Sequence, residues 1–503
     1  MRWVLYHTHV RPIRGLPFDQ PLATMLSMSL LFEKIVRWQS ARVARGLRAA
    51  DPRRLAAESA AGALWAFQQA ARRVPAYRAL LAERGVNPRD VAGPADFLTR
   101  VPVVDKETLF RKNDLRALLV DGAINDVRSF FSSSGSTGVF SFGAESWRDA
   151  DRAAWEVEFI LDDAFGALSK RTLLVNALGP GIHIPTRTLP TIETGSRLDI
   201  AWELIKKLRG EFERFIIVGE QLLLKKLVED GAAAGVPWKD LVVHIVSGAE
   251  YIAENFRGYM GSLLGHDPDD RARGSVNISF GLSEIANSIA KETPETQTLR
   301  RLAMSDTGVR QKLYGQGTRL CGALLQYDPR AYFIETSAPG PRRGEMILTA
   351  LDRRRKIPLI RYNTRDIVDL LPHDRLAELL SDIGRPDLLP PFKLPFLIVW
   401  GKNKGLDAGD GRTVYPEEIK EALYADPTVA RRTTGYFFLE RSREGVRLLL
   451  QLRPGSTADG ELEEKLKAQL SVFTAVAIEI RFLDHGQFPH FPNQSFDRKA
   501  AYF

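Results

Sequence analysis

The chain has 503 residues, 44% hydrophobic and 26% charged, a balance ordinary for a globular protein large enough for more than one domain. Its single cysteine, Cys321, excludes an intramolecular disulfide framework and a cysteine-built zinc site, and favours a reducing compartment such as the cytoplasm. The formal charge of +8 arises from 70 basic residues interleaved with 62 acidic ones; a small polyanionic ligand explains it as well as nucleic acid would, and no nucleic-acid partner is expected.

In chain order, residues 1–60 carry no usable motif and are expected to form a helical extension. Their most apolar run, "LATMLSMSLLF" at 22–32, is shorter than the ~20 residues a membrane span needs, so a packed amphipathic helix and no transmembrane segment are expected. Over residues 61–84, Leu64, Phe67 and Ala71 recur at helical spacing; Pro75 breaks the pattern and starts a second helix that carries Tyr77 and stops near Gly85. "FLTRVPVVDKETLF" follows, punctuated by Pro102.

"SFFSSSGSTGVFSFG", Ser129 to Gly143, then sets seven small residues, Ser132 to Gly138, between phenylalanines. Gly135 and Gly138 permit positive φ, and Ser133, Ser134, Ser136 and Thr137 add hydroxyl donors. Taken alone the stretch is either a phosphate cradle or a surface loop; it is not a Walker loop, because G-x-x-x-x-G-K-[ST] is absent. Beyond it, "RTLLVNAL" (171–178), "RFIIVG" (214–219), "LVVHIVSGA" (241–249) and "SVNISFG" (275–281) read as strands, with helical patterns between the later ones. That alternation predicts an α/β fold with a largely parallel sheet flanked by helices. "GEMILTAL" and "PLIRYNTRDIVDLL" read as strands closing the large unit. After a bridge with four prolines, at 386–395, a helix–strand–helix–strand pattern predicts a small α+β unit of about a hundred residues.

Ligands of parallel sheets lie beyond the strands' carboxyl ends, so the loops there are the candidate sites. In "SFGLSE", Phe280 is a stacking platform or core packing, and Glu284 a carboxylate able to hold magnesium beside phosphates. Asp366, after "IPLIRYNT", is a ribose acceptor or a turn cap. "GKNKGLDAGDGRTVYPEEI" (401–419) and Lys499 in the terminal "SFDRKAAYF" complete the set. A serine-hydrolase reading of the Ser-Ser-Gly loop has no G-x-S-x-G elbow to support it.

These five stretches, in this order, resemble the adenylate-forming superfamily of acyl-CoA ligases, luciferases and adenylation domains, and more narrowly its phenylacetate–CoA ligase-like branch. "SSGSTG" is similar to the family's Ser/Thr/Gly phosphate loop, and "VSGAE" (246–250) with "FGLSE" to its adenine-side pair. "GEMILT" and "PLIRYNTRD" are similar to its G-E-[L/I]-x-x-T and P-L-I-R-Y-x-T-G-D, and "VPAYRALLAERGVNPRDV" to its N-terminal run. Gly401 and Gly411, ten apart and followed by Tyr415-Pro416, fit the spacing that precedes its small domain. The sequence departs from the family at Val139-Phe140, where polar residues are usual, at Arg365 (glycine), at Lys402 (arginine), and at Arg498-Lys499 (Gly-Lys).

The resemblance covers residues 61–503 and implies a large domain at 61–400, with mostly parallel sheets flanked by helices, and a small mobile α+β domain at 401–503. It implies that a small carboxylic acid attacks ATP to give an acyl-adenylate, which coenzyme A then takes as a thioester. A carrier-protein or other protein acceptor, or a nucleotide-binding non-enzyme, are the alternatives. On this reading Ser133, Ser134, Gly135, Ser136, Thr137 and Gly138 hold the β- and γ-phosphates, Ser283 meets the α-phosphate, and Glu284 holds Mg²⁺. Gly248, Ala249, Glu250, Phe280 and Gly281 line the nucleoside, and Asp366 binds the ribose. Lys499 bridges the acid and the α-phosphate, and rotation about Lys404 withdraws it. The acid pocket is expected between the phosphate loop and the segments at 171–185 and 246–250, near His183.

Overall fold

The structure, a computed structural model, describes residues 37–132, 139–179, 182–248, 250–268, 270–285, 287–338, 340, 343–402, 404–443, 445–488 and 501–503. It separates into two compact units, residues 1–45 and 46–503. In the first, residues 37–45 are helical; the apolar run at 22–32 lies outside the described residues.

The second unit opens with the helix Pro52–Arg73, capped by the Asp51 side chain on Arg53 N. Pro75 ends it and begins the helix Pro75–Glu83, as the sequence predicts. Tyr77, buried on that helix, accepts from Ile360 N at 2.9 Å and donates to Pro358 O at 3.3 Å, pinning the chain that leads into the candidate site.

A hairpin of β1 (Val127–Ser132) and β2 (Phe142–Ser146) brackets the serine-rich loop. Next come β3 (Thr172–Asn176), β4 (Thr191–Glu193), β5 (Arg214–Gly219), β6 (Val243–Ser247) and β7 (Gly274–Leu282). They lie side by side in the order β4-β3-β5-β6-β7, all parallel. All five residues of β3 are buried, the signature of a strand covered on both faces. The helices Leu198–Leu208, Gln221–Ala233 and Glu254–Leu264 make the crossovers.

Six further strands extend the sheet: β8 (Asn287–Lys291), β9 (Ala323–Tyr327), β10 (Tyr332–Thr336), β11 (Gly344–Ala350), β12 (Tyr362–Leu371) and β13 (Phe396–Lys402). Their order from β7 is β8-β9-β13-β12-β11-β10, every pair antiparallel. The α/β reading is therefore met as a mixed sheet, with the parallel part confined to β3–β7. Short links such as the one from Thr336 to Gly344 leave no room for the crossover helix a parallel pair requires.

Strand β7 joins the two halves: Gly274–Ile278 pair with β6, whereas Ser279–Leu282 pair with β8. The C-terminal lobe holds a ribbon of β14 (Leu406–Asp407) and β15 (Thr413–Val414), the helix Pro416–Ala425, and a sheet of β16 (Thr433–Ser442), β17 (Gly445–Leu452) and β18 (Ile478–Leu483), with the helix Gly460–Phe473 between the last two. The apolar core runs without a break from Leu173, Ile217 and Ile245 in the sheet to Ile419, Leu423, Phe437 and Leu466 in this lobe. Among the described residues no helix is long and apolar enough to cross a membrane.

Candidate active site

The point where β7 changes partners gathers the candidate residues. Its pairing shifts register between Phe280 and Gly281, and the turn that follows carries Ser283 and Glu284. Phe280 is half-buried and packs against the core, Gly281 and Ser283 are exposed, and Glu284 is 3% exposed. A carboxylate so withdrawn from water needs partners. Glu284 has Tyr362 OH at 2.7 Å and Lys106 Nζ at 3.5 Å on the same oxygen, Oε1, and the Ser283 hydroxyl at 3.4 Å from Oε2. The buried Ser141 hydroxyl also lies near enough to the carboxylate to favour its charge. Burial pushes this acid up, but the Lys106 charge and the Ser141 and Tyr362 hydroxyls outweigh it and leave it below the usual range. Glu284 is thus ionised at neutral pH.

Each partner arrives from a different segment. Ser141 lies in the hairpin arm just after the serine-rich loop, which brings the loop's exit beside Glu284. Lys106 is placed by a short parallel bridge of Val104 to Tyr362, with Val104 N on Arg361 O at 3.0 Å and Asn363 N on Val104 O at 2.7 Å. Tyr362 opens β12, which four residues later carries Asp366.

Asp366 is buried in register with Lys402. Its Oδ1 is 2.9 Å from Lys402 Nζ, which also donates to Thr364 O at 3.0 Å. Its Oδ2 is buried without a hydrogen-bond partner among the described residues. Between them stands Arg365 at φ +62°, where the resembled family has glycine. The arginine reaches Asp105 at 2.7 Å and Glu345 at 3.3 Å.

Gly248, at the end of β6, lies so close to β7 that a Cβ would come within 2.7 Å of Ser279 O. Glu250, two residues on, is held at Oε2 by Lys420 Nζ and Tyr502 OH, each at 2.7 Å. Lys404 is exposed, with its amide on Lys402 O at 2.7 Å. His183, in the expected acid-pocket segment, is exposed and pairs through Nδ1 with Glu193 at 2.8 Å, a carboxylate also held by Asn176 at 2.6 Å. Ser133, Ser134, Gly135, Ser136, Thr137, Gly138, Ala249 and Lys499 lie outside the described residues.

Thus Glu284 and Asp366 are joined through Tyr362 and one strand, with the serine-rich loop's exit beside the same carboxylate. Glu250 is turned toward the C-terminal lobe. Lys106 and Tyr362 are functional candidates that motif reading passed over. Tyr362 stood inside "PLIRYNTRD" and was legible there, whereas a lone lysine in "VPVVDKETLF" gives no signal. The basic run 352–356 is spent internally: Arg353 stacks on Trp65, Arg355 donates to Glu284 O, and Lys356 pairs with Asp126.

No family model matches the chain, and no curated protein matches it. Among solved structures it is similar to 2-hydroxyisobutyryl-CoA ligase in the postadenylation state with R3-HIB-AMP, with a TM-score of 0.62 and 15% identity over 88% of this chain and 89% of that one. An open conformation of the same ligase with 2-HIB-AMP and CoA gives 0.51 at 15% identity, covering 88% of this chain and 90% of that one. Its thioesterification state, again with 2-HIB-AMP and CoA, gives 0.50 at 15% identity over 85% and 86% of the two chains. The chain shares the fold of that ligase, as the sequence resemblance implies.

Proposed function

We propose that the chain activates a small carboxylic acid with ATP as an acyl-adenylate, releasing pyrophosphate, and then passes the acyl group to the thiol of coenzyme A. The observation that carries this reading is the convergence on Glu284. The arm leaving the serine-rich loop brings Ser141 beside it, and the strand leading to Asp366 is bonded to it through Tyr362. Asp366 offers a buried acceptor oxygen with no described partner, suited to a ribose hydroxyl. Four residues of strand separate Tyr362 from Asp366, roughly 13 Å along which a nucleotide would lie from phosphate to ribose.

In this scheme Ser133 to Gly138 cradle the β- and γ-phosphates with amides and hydroxyls, and Ser283 meets the α-phosphate. A buried, ionised carboxylate suits a hard cation bound mostly by phosphates, so Glu284 would hold Mg²⁺, which supplies Lewis-acid charge when bound. Lys106 adds a fixed positive charge beside the same group. Lys499 neutralises the charge that builds between the attacking carboxylate and the α-phosphorus. The protein's work is positioning and electrostatics. The fold similarity, which extends to a ligase solved with an acyl-AMP and CoA, supports coenzyme A as the acceptor.

ATP–pyrophosphate exchange measured across a panel of carboxylic acids tests the reading. Acid-dependent exchange is expected, and Lys499→Ala should reduce it roughly 10²–10³-fold with an unchanged circular-dichroism spectrum. ATP binding without exchange for any acid overturns it.

A further inference from the structure

The parallel half of the sheet has a second opening at its carboxyl edge. β3 lies between β4 and β5; the chain leaves β3 for β4 on one side and β5 for β6 on the other, so the two exits part beyond the carboxyl ends of β3 and β5. Ligands of such sheets settle where the exits part. Asn176, the last residue of β3, is 1% exposed. Its amide donates to Glu193 Oε2 at 2.6 Å, in register on β4, and to Ile182 O at 2.8 Å. The other oxygen of Glu193 lies 2.8 Å from His183 Nδ1. The loop that carries His183 is also fastened further on: Glu158, wholly buried on the helix Trp147–Phe165, accepts at Oε1 from Arg187 N at 2.7 Å and Leu189 N at 3.1 Å. This arrangement selects one tautomer. An ionised carboxylate only accepts, so Nδ1 carries the proton and Nε2 keeps its lone pair. Nε2 makes no hydrogen bond among the described residues, the His183 side chain is 66% exposed, and Ile182 before it is 53% exposed. A fixed acceptor next to an exposed apolar side chain is the lining a small ligand with one polar group requires.

We infer that the crevice between β3 and β5 receives the far end of the acid, where His183 Nε2 accepts a hydrogen bond, so that the substrates are carboxylic acids bearing a hydroxyl or amino group remote from the carboxyl. The inference rests on the activity proposed above. β5 and β3 stand two and three strand spacings from β7, about 10 and 14 Å. In that scheme the attacked phosphorus lies by the turn after β7, so a group at the crevice meets the other end of the acid and not the reacting carbon. His183 is therefore a specificity residue, and Glu193 and Asn176 position it. Glu193→Gln tests the relay without removing the ring. Asn176 still donates to one side of the new amide, which fixes its oxygen there and turns its NH₂ toward His183 Nδ1. The ring must then accept at Nδ1 and carry its proton on Nε2, changing the acceptor into a donor.

Two readouts on the full chain decide it. In acid-dependent pyrophosphate exchange, kcat/KM should be about tenfold higher for an acid with a remote hydroxyl than for its parent acid, with no such gain when the hydroxyl adjoins the carboxyl. That preference should vanish in His183→Phe and in Glu193→Gln, with KM for ATP within twofold of wild type. Nitrogen NMR shifts of the neutral His183 ring should report the proton on Nδ1 in the wild-type chain and on Nε2 in Glu193→Gln. A wild-type chain without the preference overturns the inference, and so does a preference that survives both substitutions or a wild-type ring protonated on Nε2. A loss confined to thioester formation, with exchange unaltered for every acid, also overturns it, because the partner of Nε2 is then the thiol. No exchange with any acid overturns the activity and the substrate class together, leaving the NMR shifts to judge the fixed acceptor alone.

Discussion

Glu284 shows how a buried acid is kept ionised by a cation that no motif announces. Lys106 supplies the charge, Tyr362 donates a hydrogen bond, and the Ser141 hydroxyl stands beside the carboxylate. Because the acid lies below its ordinary range in the fold, its contribution to stability is present above the ordinary carboxylate pKa and is lost as pH falls through the folded one. Lys106→Met removes the compensating charge, so the acid should rise. The acidic limb of the pH–rate profile for pyrophosphate exchange should then move to higher pH; a limb that stays in place rules out the pairing. Arg365 is the other instructive residue. A left-handed arginine costs about 1–2 kcal/mol that glycine would not. Its pairs with Asp105 and Glu345 offset part of this, which explains how the departure from the family's glycine is tolerated.

The helix Pro416–Ala425 packs against the end of β13 and against the helices Glu254–Leu264 and Gly460–Phe473. Gly401, at the end of β13, sits at φ +112° with Glu417 beneath it, so close that a Cβ would fall 2.0 Å from Glu417 Oε1. Burial, with a smaller push from the Glu250 charge, raises Glu417 to about 7, while Lys420 and the Lys402 amide pull the other way. Its ordinary value is 4.5, so between these limits the folded chain holds a proton the unfolded chain has lost, and stability falls as pH rises. Glu417→Gln should flatten the stability profile between about pH 4.5 and 7 by up to ~1.4 kcal/mol per pH unit, read from urea unfolding at a series of pH values. An unaltered slope would show that Glu417 titrates normally. The element itself was legible from "VYPEEIKEALY". The pressure on its first glutamate was not, because that comes from Gly401, sixteen positions earlier.

At the scale of the whole molecule, residues 46–503 cohere through buried charge as well as apolar packing. Glu421, wholly buried, accepts from Glu254 N at 2.8 Å and Asn255 N at 3.0 Å, capping the helix Glu254–Leu264, and from Tyr251 OH at 2.9 Å. Arg300, equally buried, lies 3.6 Å from it. Lys225 and Glu229 pair at 2.7 Å, Lys225 donates to Thr433 O at 2.8 Å, and Arg453 reaches Glu229 at 2.6 Å. Glu421→Ala strands two helix-end amides and leaves Arg300 with Glu254 as its one carboxylate among the described residues, so a loss of about 3–5 kcal/mol is expected. Calorimetry should show a lower Tm while the 46–503 unit still melts in one transition. Separate melting of the C-terminal lobe would mean that the shared core does not couple the two.

The sequence by itself determined the local elements: the helix pair broken at Pro75, the strands of the parallel half, the helices and strands of the C-terminal lobe, and the turn in which Glu284 stands. Side-chain periodicity and turn chemistry act over a few residues, and those features are written at that range. Only the tertiary structure decided that β7 is shared between two halves of one sheet, that Lys106 and Tyr362 meet Glu284, and that Glu250 faces Lys420 and Tyr502. Glu250 and Tyr502 are 252 positions apart. Contacts of that kind are chosen by the packing of the whole chain, since a buried charge takes whichever partner the fold brings to it, and no local pattern records which one that is.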